Sequence, residues 1–138
     1  MSRASYRQSN ERFTYHNENP KSLKSAGDCV IRAIAFATGK SWDEVFTALC
    51  SKGAKLKRMP NDQKVYEEYL KELGIKKMSQ PRKLDNTKYT VAEFTKYAWR
   101  KGTYIISVAN HLTVVKDGKI YDTWDCGDKC VGNYWTIH

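Results

Sequence analysis

The chain has 138 residues, with 24 Lys and Arg against 15 Asp and Glu and a formal net charge of +9. That length fits one domain with a core of its own, and 41% hydrophobic with 28% charged residues excludes a wholly disordered chain. No window approaches the roughly 20 apolar residues of a membrane span, and Met1 to Ser25 lacks the apolar segment of a secretory signal. No membrane contact and a cytoplasmic location are therefore expected.

Residues 1–26 are polar and read as an N-terminal arm, in which Arg12-Phe13-Thr14-Tyr15 suits a short edge strand and Met1 to Asn10 a mobile lead. Residues 27–138 read as a single domain. From Val30 to Ala37 every residue but Arg32 is apolar, which predicts a buried helix over about 28–38, closed by Gly39 as a left-handed C-cap. Ser41 and Glu44 form a capping-box pattern that opens a second helix to about Ser51, with Val45, Phe46, Ala48 and Leu49 leaning on the first and Cys50 as a small core residue. Lys52 to Met59 reads as a basic loop ended by Pro60 and Asn61. A third helix over about 62–73 carries Val65, Tyr66, Tyr69, Leu70 and Leu73 at helical spacing and stops at Gly74.

Residues 75–89 have no clear period and read as a loop. A second capping box, Thr90 to Glu93, starts a fourth helix predicted to end near Lys101-Gly102. Beyond it the pattern turns β-branched and aromatic: Thr103 to Val108, His111 to Val115, a tight turn at Asp117-Gly118, Lys119 to Trp124, and Val131 to Ile137. Helices first and antiparallel strands after is the α+β pattern.

The chemistry-bearing residues are few. Cys29 falls at the first turn of the buried helix, where unpaired N–H groups and the positive end of the dipole favour thiolate over thiol. In a two-residue turn at Asp117-Gly118, facing residues have numbers summing to about 235. His111 then lies near residue 124, with Asp122 as its diagonal neighbour, in reach of one ring nitrogen while the other faces Cys29. Asp125 is the competing carboxylate, in a loop whose acidic residues suit turns. His16 and His138 compete with His111 but lie in the terminal segments. Cys126 and Cys130 are spaced C-x3-C with no second close pair, outside the usual zinc spacing, so neither a metal nor another cofactor is expected. The cations cluster at Lys52, Lys55, Lys57, Arg58 and at Lys76, Lys77, Arg82, Lys83, which suits a solvated surface or contact with nucleic acid or another polyanion.

A cysteine opening a buried helix, then further helices, then a histidine opening a strand and a carboxylate one hairpin later resembles the papain-like cysteine peptidase superfamily. The resemblance is to its small, minimal members, similar to bacteriocin-processing peptidases and to short uncharacterised phage or bacterial proteins. It is carried by Gly27-Asp28-Cys29-Val30-Ile31-Arg32-Ala33-Ile34, Asn110 to Val115 and Gly118 to Trp124, and covers about residues 27–124. It implies a papain-like α+β fold, with the cysteine-bearing helix packed on a C-terminal antiparallel sheet. The implied triad has Cys29 as nucleophile, His111 as general base and acid, and Asp122 as the group orienting the imidazole. An oxyanion donor is expected from the backbone N–H of Cys29. The family's usual second donor, a side-chain amide about six residues before the cysteine, falls here on Leu23, which leaves Asn17 or Asn19, with Asn19 preferred.

Of the four tryptophans, Trp124 and Trp135 are the better candidates for a substrate groove, while core packing is the favoured reading for each. The activity implied is hydrolysis of a peptide or isopeptide bond in a peptide or protein substrate. The same constellation serves thiol acyl transfer and deamidation. The alternative from another class is a basic, non-catalytic protein that binds nucleic acid or an acidic protein.

Overall fold

In the computed structural model, which describes residues 9–137, the elements run β1 (Phe13–Tyr15), α1 (Cys29–Thr38), α2 (Trp42–Leu56), α3 (Gln63–Glu72), β2 (Lys77–Met78), α4 (Val91–Phe94), β3 (Thr103–Val108), β4 (His111–Lys116), β5 (Lys119–Asp122) and β6 (Tyr134–Ile137). The expected α+β order holds. The six strands form one sheet in the order β1-β5-β4-β3-β6-β2. No helix among the described residues is long and apolar enough to cross a membrane.

The sheet is mixed rather than antiparallel throughout, because β1 lies parallel to β5, Phe13 against Ile120 and Tyr15 against Asp122. Sequence patterning locates this strand but not its direction, which follows from the chain entering before α1 and covering an edge that β5 would otherwise leave open. From Ser9 onward the expected arm is thus built into the domain, while residues 1–8 lie outside the described residues.

Both faces of the sheet are covered, which is why β3 and β4 carry adjacent apolar pairs instead of a strict alternation. On one face Ile105, Leu112, Val114 and Trp135 pack with Val30, Ile31 and Ile34 of α1, with Val45 and Leu49 of α2, and with Val65 and Leu70 of α3. On the other, Ile106, Val115 and Ile120 pack with Phe13, Phe94, Cys126 and Val131. Trp135 is 1% exposed, its ring edge-on to Tyr66 at 6.0 Å, so it is a core residue, the favoured reading of its sequence position, and not a groove wall.

Several expected boundaries move. Helix α2 runs on to Leu56 and ends on Lys57 at φ 59°, so Lys52 to Leu56 are helical and not a loop; Lys, Ala and Leu favour helix and the single Gly53 does not stop it. Cys50 consequently sits mid-helix and half-buried instead of in the core. The fourth helix is cut to Val91–Phe94, with its Thr90–Glu93 capping box complete. The chain then turns so that Trp99 stacks on Phe94, ring centroids 4.3 Å apart, an aromatic contact that overrides the helical pattern. Within the expected loop 75–89, Lys77 and Met78 pair with Trp135 and Tyr134, a ladder too short to show a period. The last strand starts at Tyr134, because Gly132 and Asn133 are hydrogen-bonded to Ser107 outside the regular ladder.

Candidate active site

Three local features place Cys29. Gly27 adopts φ 68°, a left-handed turn that suits glycine and delivers the chain into α1. Asp28 occupies the N-cap without capping through its side chain. Its carboxylate instead accepts from Asn19 Nδ2 at 2.9 Å, Trp42 Nε1 at 2.9 Å and Arg32 Nε at 2.8 Å. Burial pushes the Asp28 carboxyl up, but these three donors outweigh it and hold it below its ordinary 3.8. The residue before the cysteine is therefore a buried carboxylate fixed from three directions.

His111 is placed by the β4–β5 hairpin. Asp117 at φ 48° and Gly118 at φ 78° form the tight turn. Val115 pairs with Ile120 and Lys116 with Lys119, both at the expected sum of 235. Asn110 at φ 57° turns the chain into β4 immediately before the histidine. On this register Asp122 Oδ2 lies 2.6 Å from His111 Nε2. The other carboxylate oxygen, Oδ1, accepts from the Thr123 N–H at 2.7 Å and from Arg32 Nη1 at 3.3 Å. Asp125 faces elsewhere, toward Asn10 and Arg12, so Asp122 is the carboxylate that meets the histidine.

Cys29, His111 and Leu112 border one cavity, with the imidazole and the Leu112 N–H on the thiol's side of it. Burial pushes this thiol up, yet the influence of these two groups and the charges of His111 and Arg32 bring it below its ordinary 9.0. For His111, burial favours the neutral ring, but the bonds to Asp122 and Cys29 and their negative charges lift it from 6.5 to about 9. Depressed thiol and elevated imidazole both shift the balance from the neutral pair toward thiolate and imidazolium.

A cavity of about 370 Å³ opens on this pair, bordered by Cys29, Tyr66, Ser107, Asn110 and His111. A larger hollow of about 910 Å³ runs along α3 between Lys64, Glu67 and Lys71, on a wall that includes neither Cys29 nor His111. Trp124 sits edge-on to His111, ring centroids 5.0 Å apart, and shields the imidazole side of the pair. Asn19 is buried against Asp28, and its Oδ1 accepts from the Lys21 N–H at 2.9 Å. It thus supports the residue preceding Cys29. Leu23, six residues before Cys29, is exposed.

The ligand atoms of His111, Asp122 and Cys126 lie within 4.8 Å of one another, a grouping that the spacing of Cys126 and Cys130 did not indicate. His111 and Asp122 already share a hydrogen bond there, and Arg32 bonds the same carboxylate, an arrangement fitted to a proton more than to a cation. Cys126 is fully buried, its thiol pushed up to about 12 by burial, whereas Cys130 is exposed. Arg32 is the site residue that sequence reasoning missed. Its signal was its position, a lone cation inside an apolar helix one turn after the cysteine. No family model, curated protein or solved structure matches the chain, so the reading of this site rests on its own geometry.

Proposed function

We propose that the protein is a cysteine peptidase-like thiol hydrolase of papain-like arrangement, cleaving a peptide or isopeptide bond. The observation that carries the reading is the His111 ring, 2.6 Å from Asp122 and lining one cavity with Cys29, the first residue of a buried helix. The Cys29 thiolate attacks the carbonyl carbon, and the electron pair of the C=O moves to oxygen, which accepts from the Cys29 N–H, a first-turn donor without an intrahelical partner. Collapse breaks the C–N bond, and His111 delivers its proton to the leaving amine. Water then attacks the thioester, His111 takes the water's proton, and the carboxylic product leaves as the thiolate is restored. Asp122 keeps the imidazole oriented throughout. Deamidation and acyl transfer differ only in the leaving amine or the acceptor and use the same residues.

Against a purely polyanion-binding role stands the pairing of four of the eight clustered cations: Lys52 with Glu72, Arg58 with Asp62, Lys77 with Glu67 and Lys83 with Glu93. The test is site-resolved alkylation by iodoacetamide across pH, followed by peptide mass spectrometry. Cys29 is expected to react selectively well below the free-thiol value of about 8.5, and His111→Ala to abolish that advantage. Reactivity of Cys29 no greater than that of Cys130 refutes the reading.

A further inference from the structure

Arg32 is the one charged residue of a helix whose other residues are apolar or small, and its side chain is 15% exposed. Burying a guanidinium costs several kcal/mol unless its donors are matched, and an apolar residue would fill the same space at no such cost. Its donors are matched by groups on two separate parts of the fold. Nε bonds Asp28 Oδ1 at 2.8 Å, and Nη1 bonds Asp122 Oδ1 at 3.3 Å and Thr123 Oγ1 at 3.1 Å. One carboxylate immediately precedes the nucleophile; the other orients the base.

We propose that Arg32 is a positioning residue: its guanidinium ties the N-terminus of α1, through Asp28, to Asp122 at the end of β5, and so holds His111 in register with the Cys29 sulfur. The inference rests on the catalytic reading above. Asp122 presents one oxygen to His111 and the other to Arg32 and the Thr123 N–H. Without the guanidinium, a single backbone bond resists rotation of that carboxylate. The planar fork matters as well as the charge, because donors on two edges of one rigid group reach two carboxylates at once, whereas an ammonium is a point donor on a flexible stem. The titratable groups facing Arg32 are Asp28 and Cys29 on its own side and Asp122 across from it. His16, Glu18 and Tyr121 border the same narrow cavity, with His16 and Glu18 paired to each other at 2.7 Å.

The experiment compares Arg32→Lys and Arg32→Gln with the unsubstituted protein in the pH dependence of Cys29 alkylation, with melting temperatures measured alongside. Arg32→Lys keeps a cation beside both carboxylates and loses the fork. It is expected to move the acid limb up by about one pH unit, which is about tenfold slower alkylation on that limb. In an Asp122→Ala background the same substitution is expected to change the rate less than twofold, since the bridge then has no far end.

An unshifted limb in Arg32→Lys overturns the proposal, even if Arg32→Gln shifts, because the residue would then act as a charge alone. A shift that persists in full without Asp122 overturns it too. Should Arg32→Gln fail to fold, with two buried carboxylates left facing each other, the lysine variant still decides. Absence of a His111-dependent limb in the unsubstituted protein defeats the catalytic reading itself, and that result is distinct from an intact limb that ignores Arg32.

Discussion

Replacing Asp122 by Asn keeps the shape of the side chain and an oxygen that can accept from His111, and removes the negative charge. His111 stands at about 9 against an ordinary 6.5, a gap of about 2.5 pH units or about 3.4 kcal/mol. Burial opposes that rise, so the bonds and charges of Asp122 and Cys29 together contribute more than the gap, with the Asp122 bond the largest favourable part. In Asp122→Asn burial and Cys29 remain, and the ring is expected to titrate near 6.5. At pH 8 the imidazolium population then falls from about 90% to about 3%. The assay is an NMR titration of the His111 ring, identified by its loss in His111→Ala, with Cys29 alkylation at pH 6 expected to slow at least about tenfold in parallel. Arg32 retains Asp28 at 2.8 Å, so the loss of stability should stay at or below the low end of the about 3–5 kcal/mol that breaking a buried pair costs. Titration of His111 near 9 in Asp122→Asn would refute the reasoning, because the ring would then owe its charge to something other than the carboxylate 2.6 Å away.

Three further outcomes concern buried polar groups and helix packing. Asp28 lies below its ordinary 3.8, so its contribution to stability is present above that value and lost as pH falls through its native value. The stability advantage of the unsubstituted protein over Asp28→Asn, read by urea unfolding, should therefore shrink between pH 6 and pH 2.5. The Thr113 hydroxyl is, among the described residues, a buried side-chain polar atom that meets no hydrogen-bond criterion, with the Cys126 thiol, a weak acceptor, as its neighbour. Thr113→Val is expected to be neutral or to stabilise by up to about 1 kcal/mol in thermal unfolding; a loss above that would mean that the hydroxyl has a partner. Gly53 lies inside α2, where Ala usually stabilises, but a Cβ there would meet the Arg58 carbonyl oxygen at 2.5 Å. Gly53→Ala should therefore destabilise by about 1–3 kcal/mol, read from the same unfolding curves.

What the sequence made legible and what it hid divide along physical lines. Cys29, His111 and Asp122 were readable because each sits at a position set by local rules: a helix start, a strand start, and a hairpin register pinned by Asp117-Gly118. The elements that were misjudged depend on contacts far along the chain. Trp99 stacking on Phe94 shortens α4, and the β2 ladder exists only because β6 lies beside it. The direction of β1 belongs to this second class, as does the burial of Trp135 against Tyr66. No periodicity encodes which strand a three-residue segment joins.

The segment before the cysteine makes the same point about the site itself. Its composition is that of a solvated arm, yet the His16 N–H donates to the Asp122 carbonyl at 2.9 Å and Asn19 to the Asp28 carboxylate at 2.9 Å. Both ends of the Asp28–Arg32–Asp122 bridge are thus braced by residues 16–19. Polar composition does not separate a side chain that faces water from one that completes a buried network; that distinction depends on the burial of the partner, and here Asp28 and Asp122 are both buried. An apolar helix can hold a cation one turn beyond its cysteine because the chain folds back over it and supplies two carboxylates. The oddity visible at Arg32 and the polarity visible at Asn19 are therefore two traces of one network, linked through the carboxylate of Asp28.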